Sequence, residues 1–284
     1  MAQVRIVTDS TADLTRDLIE RHRITVVPLL VQFEEEVYRD GVDIDTDRLF
    51  AKVAEKKRLP KTAAVGPGVF QETFAQTTAG GAEVVYVGIS SKLSSTLQNA
   101  RMAAEEFEGR VRIWDSLNLS TGVGYQVLLA AEMAGAGKSP EEILAALEDA
   151  RPKIRTYFVI DTLDYLYMGG RCSGLQMLVG SLLKIRPVIA VVDGGMIVAA
   201  KLRGPRQKAL DWMLERFAED ARQVGVDPTR VFITHTGVPD NARYMADAVR
   251  RTLPEVREIL ETRAGAVIGS HCGPGTIGII YKTK

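Results

Sequence analysis

Three loops of this chain concentrate hydroxyl side chains: Thr8-Asp9-Ser10-Thr11, Ser90-Ser91-Lys92-Leu93-Ser94-Ser95-Thr96, and Asp115-Ser116 with Ser120-Thr121-Gly122 just beyond. Each follows a strand-like run. In open parallel sheets ligands gather at such places, because the loops face a crevice and helix N-termini offer free N–H groups. Helix capping explains most of these residues taken singly, and Ser10 with Asp13 fits a capping box. Five hydroxyls within residues 90–96 exceed what one cap requires. Two further loops stand out. In Gly169-Gly170-Arg171-Cys172-Ser173-Gly174 the guanidinium could hold a carboxylate or brace the loops, against the plainer reading of an ion pair with Asp164. In Gly269-Ser270-His271-Cys272-Gly273-Pro274-Gly275-Thr276 the glycines allow close backbone approach to a ligand. There a site histidine and a packed structural one are equally open.

Other chemistries find little support. The histidines are His22, His235 and His271, and with two cysteines, Cys172 and Cys272, they show no metal-ligand spacing. His22 sits in a charged helix end; His235 closes a strand as a structural residue or a site neighbour. Both cysteines read as small apolar packing. No GxSxG nucleophile elbow occurs. Gly137-Lys138-Ser139 mimics a phosphate loop, yet position 132 is Glu132 and a helical segment precedes it. A better account is a helix ending at the glycine, then Ser139 capping the next helix with Pro140 first and Glu142 closing the box.

The elements that must position these loops alternate in the first half. Strand-like runs at 4–8, 25–31, 84–89 and 111–114 are separated by helical patterns, including Phe70 and Phe74 one turn apart and Leu97, Ala100, Ala104 and Phe107 on one face. Pro28 inside the second run suggests an edge or a bulge. This order predicts a parallel sheet covered by helices. In the second half, runs at 157–160, 188–192, 197–202, 231–235, 258–263 and 276–281 read as strands. Asp193-Gly194-Gly195 signals a hairpin between two of them, so a mixed sheet follows. The expected fold is α/β in two lobes, 1–152 and 153–284, the first with a parallel sheet and the second with a mixed one. No internal repeat or low-complexity tract is visible.

The 284 residues carry 36 basic and 36 acidic side chains, which removes an overall field for nucleic acid or an anionic membrane. The start lacks the pattern of a secretory signal, and the apolar run at 175–192 is interrupted by Lys184, Arg186 and Pro187. A cytoplasmic protein is expected.

Taken in order, the loops resemble the DegV family nearly end to end. The resemblance rests on Thr8-Asp9-Ser10-Thr11-Ala12-Asp13-Leu14, Tyr38-Arg39-Asp40-Gly41, Ile89-Ser90-Ser91-Lys92-Leu93-Ser94, and Leu163-Asp164-Tyr165-Leu166 with Gly169-Gly170-Arg171. Lys184-Ile185-Arg186-Pro187 and Gly269-Ser270-His271-Cys272-Gly273-Pro274-Gly275 complete it. The resemblance implies two α/β lobes with a long-chain, palmitate-like fatty acid buried at their junction and no cofactor. It implies a carrier without catalysis of its own, which presents the carboxylate to a separate ATP-dependent fatty acid kinase subunit. By motif, the carboxylate contacts become Thr62, Ser94 and His271, with Arg171 and Ser95 supporting. Two departures stand out. Thr62-Ala63-Ala64-Val65 replaces a more polar Thr-Ser-Gln-Pro, and Ser95 replaces a common glycine. A tail would need an apolar channel, sought at Leu175, Met177, Leu178, Leu182 and Ile185, a run whose ordinary role is core. Lys201, Arg203, Arg206 and Lys208 read as a basic cluster opening a helix, either a solvated face or a docking patch for the kinase or for anionic lipid headgroups. Two rival readings are a hydrolase with Ser94 or another loop hydroxyl as nucleophile and His271 as base, and a carbonyl-substrate protein related in fold to dihydroxyacetone kinases, with His271 binding the substrate covalently.

Overall fold

The computed structural model describes residues 3–171, 175 and 185–284. In chain order the strands are β1 (Val4–Asp9), β2 (Thr25–Val27), β3 (Leu30–Phe33), β4 (Glu36–Arg39), β5 (Lys61–Ala63), β6 (Glu83–Gly88), β7 (Val111–Asp115), β8 (Ile154–Val159), β9 (Ile185–Val192), β10 (Gly195–Arg203), β11 (Val226–His235), β12 (Glu258–Arg263) and β13 (Ile277–Thr283). The helices are α1 (Arg16–Arg21), α2 (Thr46–Lys56), α3 (Pro67–Thr77), α4 (Thr96–Ala104), α5 (Thr121–Gly135), α6 (Pro140–Ala150), α7 (Asp164–Met168), α8 (Gln207–Gln223), α9 (Pro239–Thr252) and α10 (Ala266–Cys272).

The expected parallel sheet forms in the order β2-β1-β6-β7, and the expected mixed sheet in the order β10-β9-β8-β13-β11-β12. Within the second sheet only β11 and β12 run parallel; the β9–β10 hairpin turns at Asp193-Gly194, both with positive φ. The run at 25–31 is not one strand. Pro28 has no N–H to give a ladder, and the chain crosses there from β2 on the edge of the parallel sheet to β3. With β4 and β5, β3 makes a small antiparallel sheet that periodicity did not reveal.

Phe70 and Phe74 of α3 and Leu97 and Ala100 of α4 pack on one face of the parallel sheet, where Tyr86 meets both phenylalanines edge-on. On the other face lies α5, with ten buried residues and no polar stripe, as a helix covered on both sides must have. Its Val123, Val127 and Leu128 join Val85 and Val87 to Phe232 and Ile280 of the six-stranded sheet. Helices α8 and α9 cover that sheet from outside through Leu210, Met213, Phe217, Met245 and Val249.

The box at α6 is as expected: Glu142 N–H donates to Ser139 Oγ at 3.2 Å and Ser139 N–H to Glu142 Oε2 at 2.9 Å. The box expected at Ser10 and Asp13 does not form. Asp9 caps that single 3-10 turn, Ser10 Oγ accepts from Leu29 N–H at 3.1 Å, and Asp13 reaches across to residues far along the chain. Helix α10 leaves the six-stranded sheet to pack on α2 and puts Ala266 and Val267 into the core of the first sheet.

Candidate functional site

Where the loops at the carboxyl ends of β1 and β6 meet β5, α7 and α10, the protein encloses a cavity of about 330 Å³. Thr62, Ser94, Ser95, Arg171 and His271 all line it. Thr62 arrives on β5, in register with Val31; His271 occupies the last turn of α10; Ser94 and Ser95 lead into α4; Arg171 follows α7.

Thr62 Oγ1 and His271 Nε2 are hydrogen-bonded at 2.7 Å. The imidazole is buried, and burial, then the Arg171 guanidinium, pushes its pKa down to about 4. At neutral pH the ring is therefore uncharged. Its Nδ1 faces Gly169 and meets no acceptor among the described residues. Which partner donates in the Thr62–His271 bond depends on the tautomer: a proton on Nε2 would donate to Thr62 Oγ1 and leave the threonine O–H for the cavity, and a proton on Nδ1 would leave Nε2 to accept from it. A Cβ at position 169 would overlap Nδ1, so glycine is what lets the ring lie there.

Arg171 makes no pair with Asp164, whose Oδ2 instead accepts from the Thr162 hydroxyl. Its Nε donates to Leu93 O at 3.2 Å and its Nη1 to Gly169 O at 2.6 Å. One guanidinium thus ties the Ser94 loop to the loop under His271, and no acidic side chain offsets its charge among the described residues. Within the hydroxyl cluster the roles divide. Ser90 is buried and donates to Gly194 O at 2.8 Å, pinning the β9–β10 turn. Ser94 Oγ accepts from Thr96 N–H at 3.2 Å and shares a hydrogen bond with Thr96 Oγ1 at 2.8 Å. Ser95 stands at the N-cap of α4 without a side-chain cap bond.

The rest of the lining is mostly apolar: Leu29, Ile89, Leu119, Leu166, Met196 and Ile268 come from six separate segments. None was expected as cavity lining, although Ile89 and Leu166 stand in the motifs that carry the resemblance, because each looks like ordinary core within its own segment. Asn99, also overlooked, ties α4 to the β5 loop by donating to Val65 O at 2.7 Å. The expected channel run fares differently. Leu175 packs as core in the apolar cluster that holds Leu119, Leu166 and Ile268, Ile185 opens β9 opposite Arg203, and neither lines the cavity. Met177, Leu178, Leu182 and Cys172 lie outside the described residues. Cys272 is buried, and burial raises its thiol to about 12, so it acts as an apolar wall. Leu119, Ile268 and Cys272 also border a second void of about 30 Å³ between α10 and the six-stranded sheet.

His235 is structural: its Nδ1 accepts from the N–H groups of Gly237 and Val238, both at 3.1 Å, and its Nε2 meets Glu261 at 3.1 Å. The basic cluster does not open a helix as a unit. Lys201 and Arg203 are exposed on the edge strand β10, Lys208 lies in the first turn of α8, and Arg206 is committed to Asp161, which also holds Arg186 at 2.9 Å. Among the described residues no carboxylate is hydrogen-bonded to His271, and Ser94 is bonded to Thr96, so they do not assemble the nucleophile–base–acid chain of a hydrolase. Among the described residues no three His, Cys, Asp or Glu side chains gather to hold a metal ion, and no helix is long and apolar enough to cross a membrane.

Comparison with known proteins agrees with this architecture. The family model described as "Uncharacterised protein, DegV family" matches residues 3–284. A DegV domain-containing protein of Deinococcus radiodurans is 37% identical over 98% of this chain and 98% of its own length. Among solved structures, a fatty-acid-binding DegV-family protein from Thermus thermophilus superposes with a TM-score of 0.94 at 36% identity, covering 99% of this chain and 100% of the other. DegV from Bacillus subtilis, described as a fatty acid binding protein, gives 0.89 at 30% identity, with both chains fully covered. With a match running almost from end to end, the chain belongs to the DegV family.

Proposed function

We propose that this protein binds one long-chain fatty acid, headgroup at Thr62, Ser94 and His271, and presents the carboxylate to a separate ATP-dependent kinase that forms the acyl phosphate. The observation that carries the reading is the hydrogen-bonded Thr62–His271 pair, with Ser94 and the Arg171 cation in the same mostly apolar cavity. Likeness to the Thermus and Bacillus proteins supports it.

The energetics suit such a ligand. A palmitate-like tail removes about fifteen methylene-sized groups from water, worth roughly 12 kcal/mol gross at ~0.8 each. A bare buried carboxylate would forfeit several kcal/mol of that. Hydroxyl donors and a nearby guanidinium offset the loss, and one carboxylate oxygen stays available to attack the γ-phosphorus of ATP, releasing ADP. The tail would pass Leu119, Ile268 and Cys272 toward the small void behind them. That void suits hydrocarbon, since its threonine hydroxyls are turned to protein: Thr156 to Asn118 at 2.9 Å, Thr236 to Gly273 O at 2.9 Å, Thr276 to Cys272 O at 2.8 Å. The lobes 1–152 and 153–284 would then meet around the ligand.

Organic extraction of the purified protein followed by mass spectrometry tests this. One fatty acid per chain is expected, with lower retention in Ser94→Ala and His271→Ala. An acyl adduct on serine, or full retention in both variants, would overturn the assignment.

A further inference from the structure

Helix α10 carries His271 at one end and is gripped at the other by two carboxylates from remote parts of the chain. Its N-cap, Gly265, has no side chain to offer the free N–H groups. Gly265 N–H donates to Asp13 Oδ1 at 2.7 Å, and Ala266 N–H to Asp40 Oδ1 at 2.7 Å. Asp13, in the left-handed region with φ 50°, also accepts from the Ser120 hydroxyl, while Asp40 is fixed by its own N–H to Leu29 O at 2.8 Å. Both side chains are buried, and neither pairs with a lysine or arginine among the described residues. Asp9 is buried nearby and adds repulsion to both. Asp40 Oδ2 completes no hydrogen bond although the Ser10 hydroxyl is close. An ordinary cap would be a single serine or asparagine; two buried carboxyl groups, both pushed up in pKa by burial, are a costly substitute.

We propose that Asp13 and Asp40 are positioning residues, a two-carboxylate clamp on the N-terminus of α10 that sets where His271 stands relative to Thr62. Seven residues span only about 10 Å, so the helix tilts as one rod and a shift at the clamp reaches the imidazole. Aspartate suits the task because its short side chain brings an oxygen acceptor directly onto the free N–H groups at the positive end of the helix. The fit is close. A Cβ on Gly265 would stand 2.9 and 3.0 Å from the Asp40 oxygens and 3.2 Å from Asp13 Oδ1.

The functional readout rests on the fatty-acid reading; the clamp itself does not. The test uses full-length protein bearing Asp40→Ala, Asp40→Asn or Gly265→Ala, with nitrogen-edited NMR of the imidazoles and palmitate titration. Asp40→Ala and Gly265→Ala are expected to move the His271 resonances and weaken palmitate binding about tenfold, the scale of a sub-ångström misplacement. Asp40→Asn, which keeps an oxygen for Ala266 N–H, should restore both readouts. If Asp40→Ala fails to fold, Gly265→Ala carries the same test. Folded variants with His271 resonances and palmitate affinity unchanged would overturn the clamp. A wild-type protein that binds no palmitate would instead sink the ligand reading, and the resonances would still decide the clamp.

Discussion

His271 owes its neutral state to burial and to the guanidinium beside it, and its place to a glycine. Gly169 has helical backbone angles, φ −73° and ψ −8°, that alanine adopts freely. Gly169→Ala is therefore opposed chiefly by contact with the imidazole and the Tyr165 carbonyl, and should lower fatty-acid affinity at least tenfold by calorimetry. Proton linkage offers a second check. Asp40 is raised by burial to about 6 and His271 is lowered by burial to about 4, so their contributions oppose one another. The folded form holds a proton on Asp40 that the unfolded chain lacks, a contribution present below pH 3.8 and lost as pH rises through about 6. For His271 the folded form lacks a proton that the unfolded chain holds. That contribution is present above pH 6.5 and lost as pH falls through about 4. Each amounts to roughly 3 kcal/mol. In ligand-free protein between pH 4.5 and 7, His271→Gln should tilt the melting temperature toward falling with pH. Asp40→Asn should tilt it toward rising and stabilise the protein at pH 7.5. Scanning calorimetry at four pH values decides both.

Elements hold the site by local chemistry at their ends. The Ser139–Glu142 box and Pro140 start α6 just after Gly137, whose φ of 76° ends α5. Ser139→Ala removes an exposed cap and should cost about 1 kcal/mol in urea unfolding with no change in lipid retention. Pro28 does more, since it moves the chain from one sheet to another and so brings β3, and through it Thr62 on β5, to the cavity. The Phe70–Phe74–Tyr86 group anchors α3 under the same loops. Phe74→Ala should cost about 3–5 kcal/mol, read as a loss of urea midpoint with the m-value unchanged.

At the scale of the whole molecule, two sheets share the apolar helix α5, and the cavity lies where their loops and the returning α10 converge. On the outside, Lys201, Arg203 and Lys208 are exposed with no acidic partner among the described residues, while Arg206 serves Asp161. If this face meets the kinase, reversing the three exposed charges to glutamate should reduce acyl phosphate formation and leave lipid affinity unchanged. Unaltered yield across a range of salt concentrations would remove the surface from the interaction. Arg206→Glu is a poor probe, because it sets a carboxylate against Asp161 and destabilises the protein regardless of any partner.

Much of this was written locally. Hydrophobic period and turn residues declared both kinds of sheet, the α6 cap and the Asp193-Gly194 hairpin, because each depends on neighbours a few positions away. The Thr62, Ser94 and His271 set was legible only through the resemblance of whole motifs; taken singly, each could have been a cap or a packed side chain. Tertiary structure alone decided that the apolar wall is drawn from Leu29, Ile89, Leu119, Leu166, Met196 and Ile268, that Arg171 binds carbonyls, that Arg206 is spoken for, and that Asp13 and Asp40 grip α10. The reason is that burial and charge pairing are properties of which segments meet, and the segments that meet here lie up to 252 residues apart in the chain.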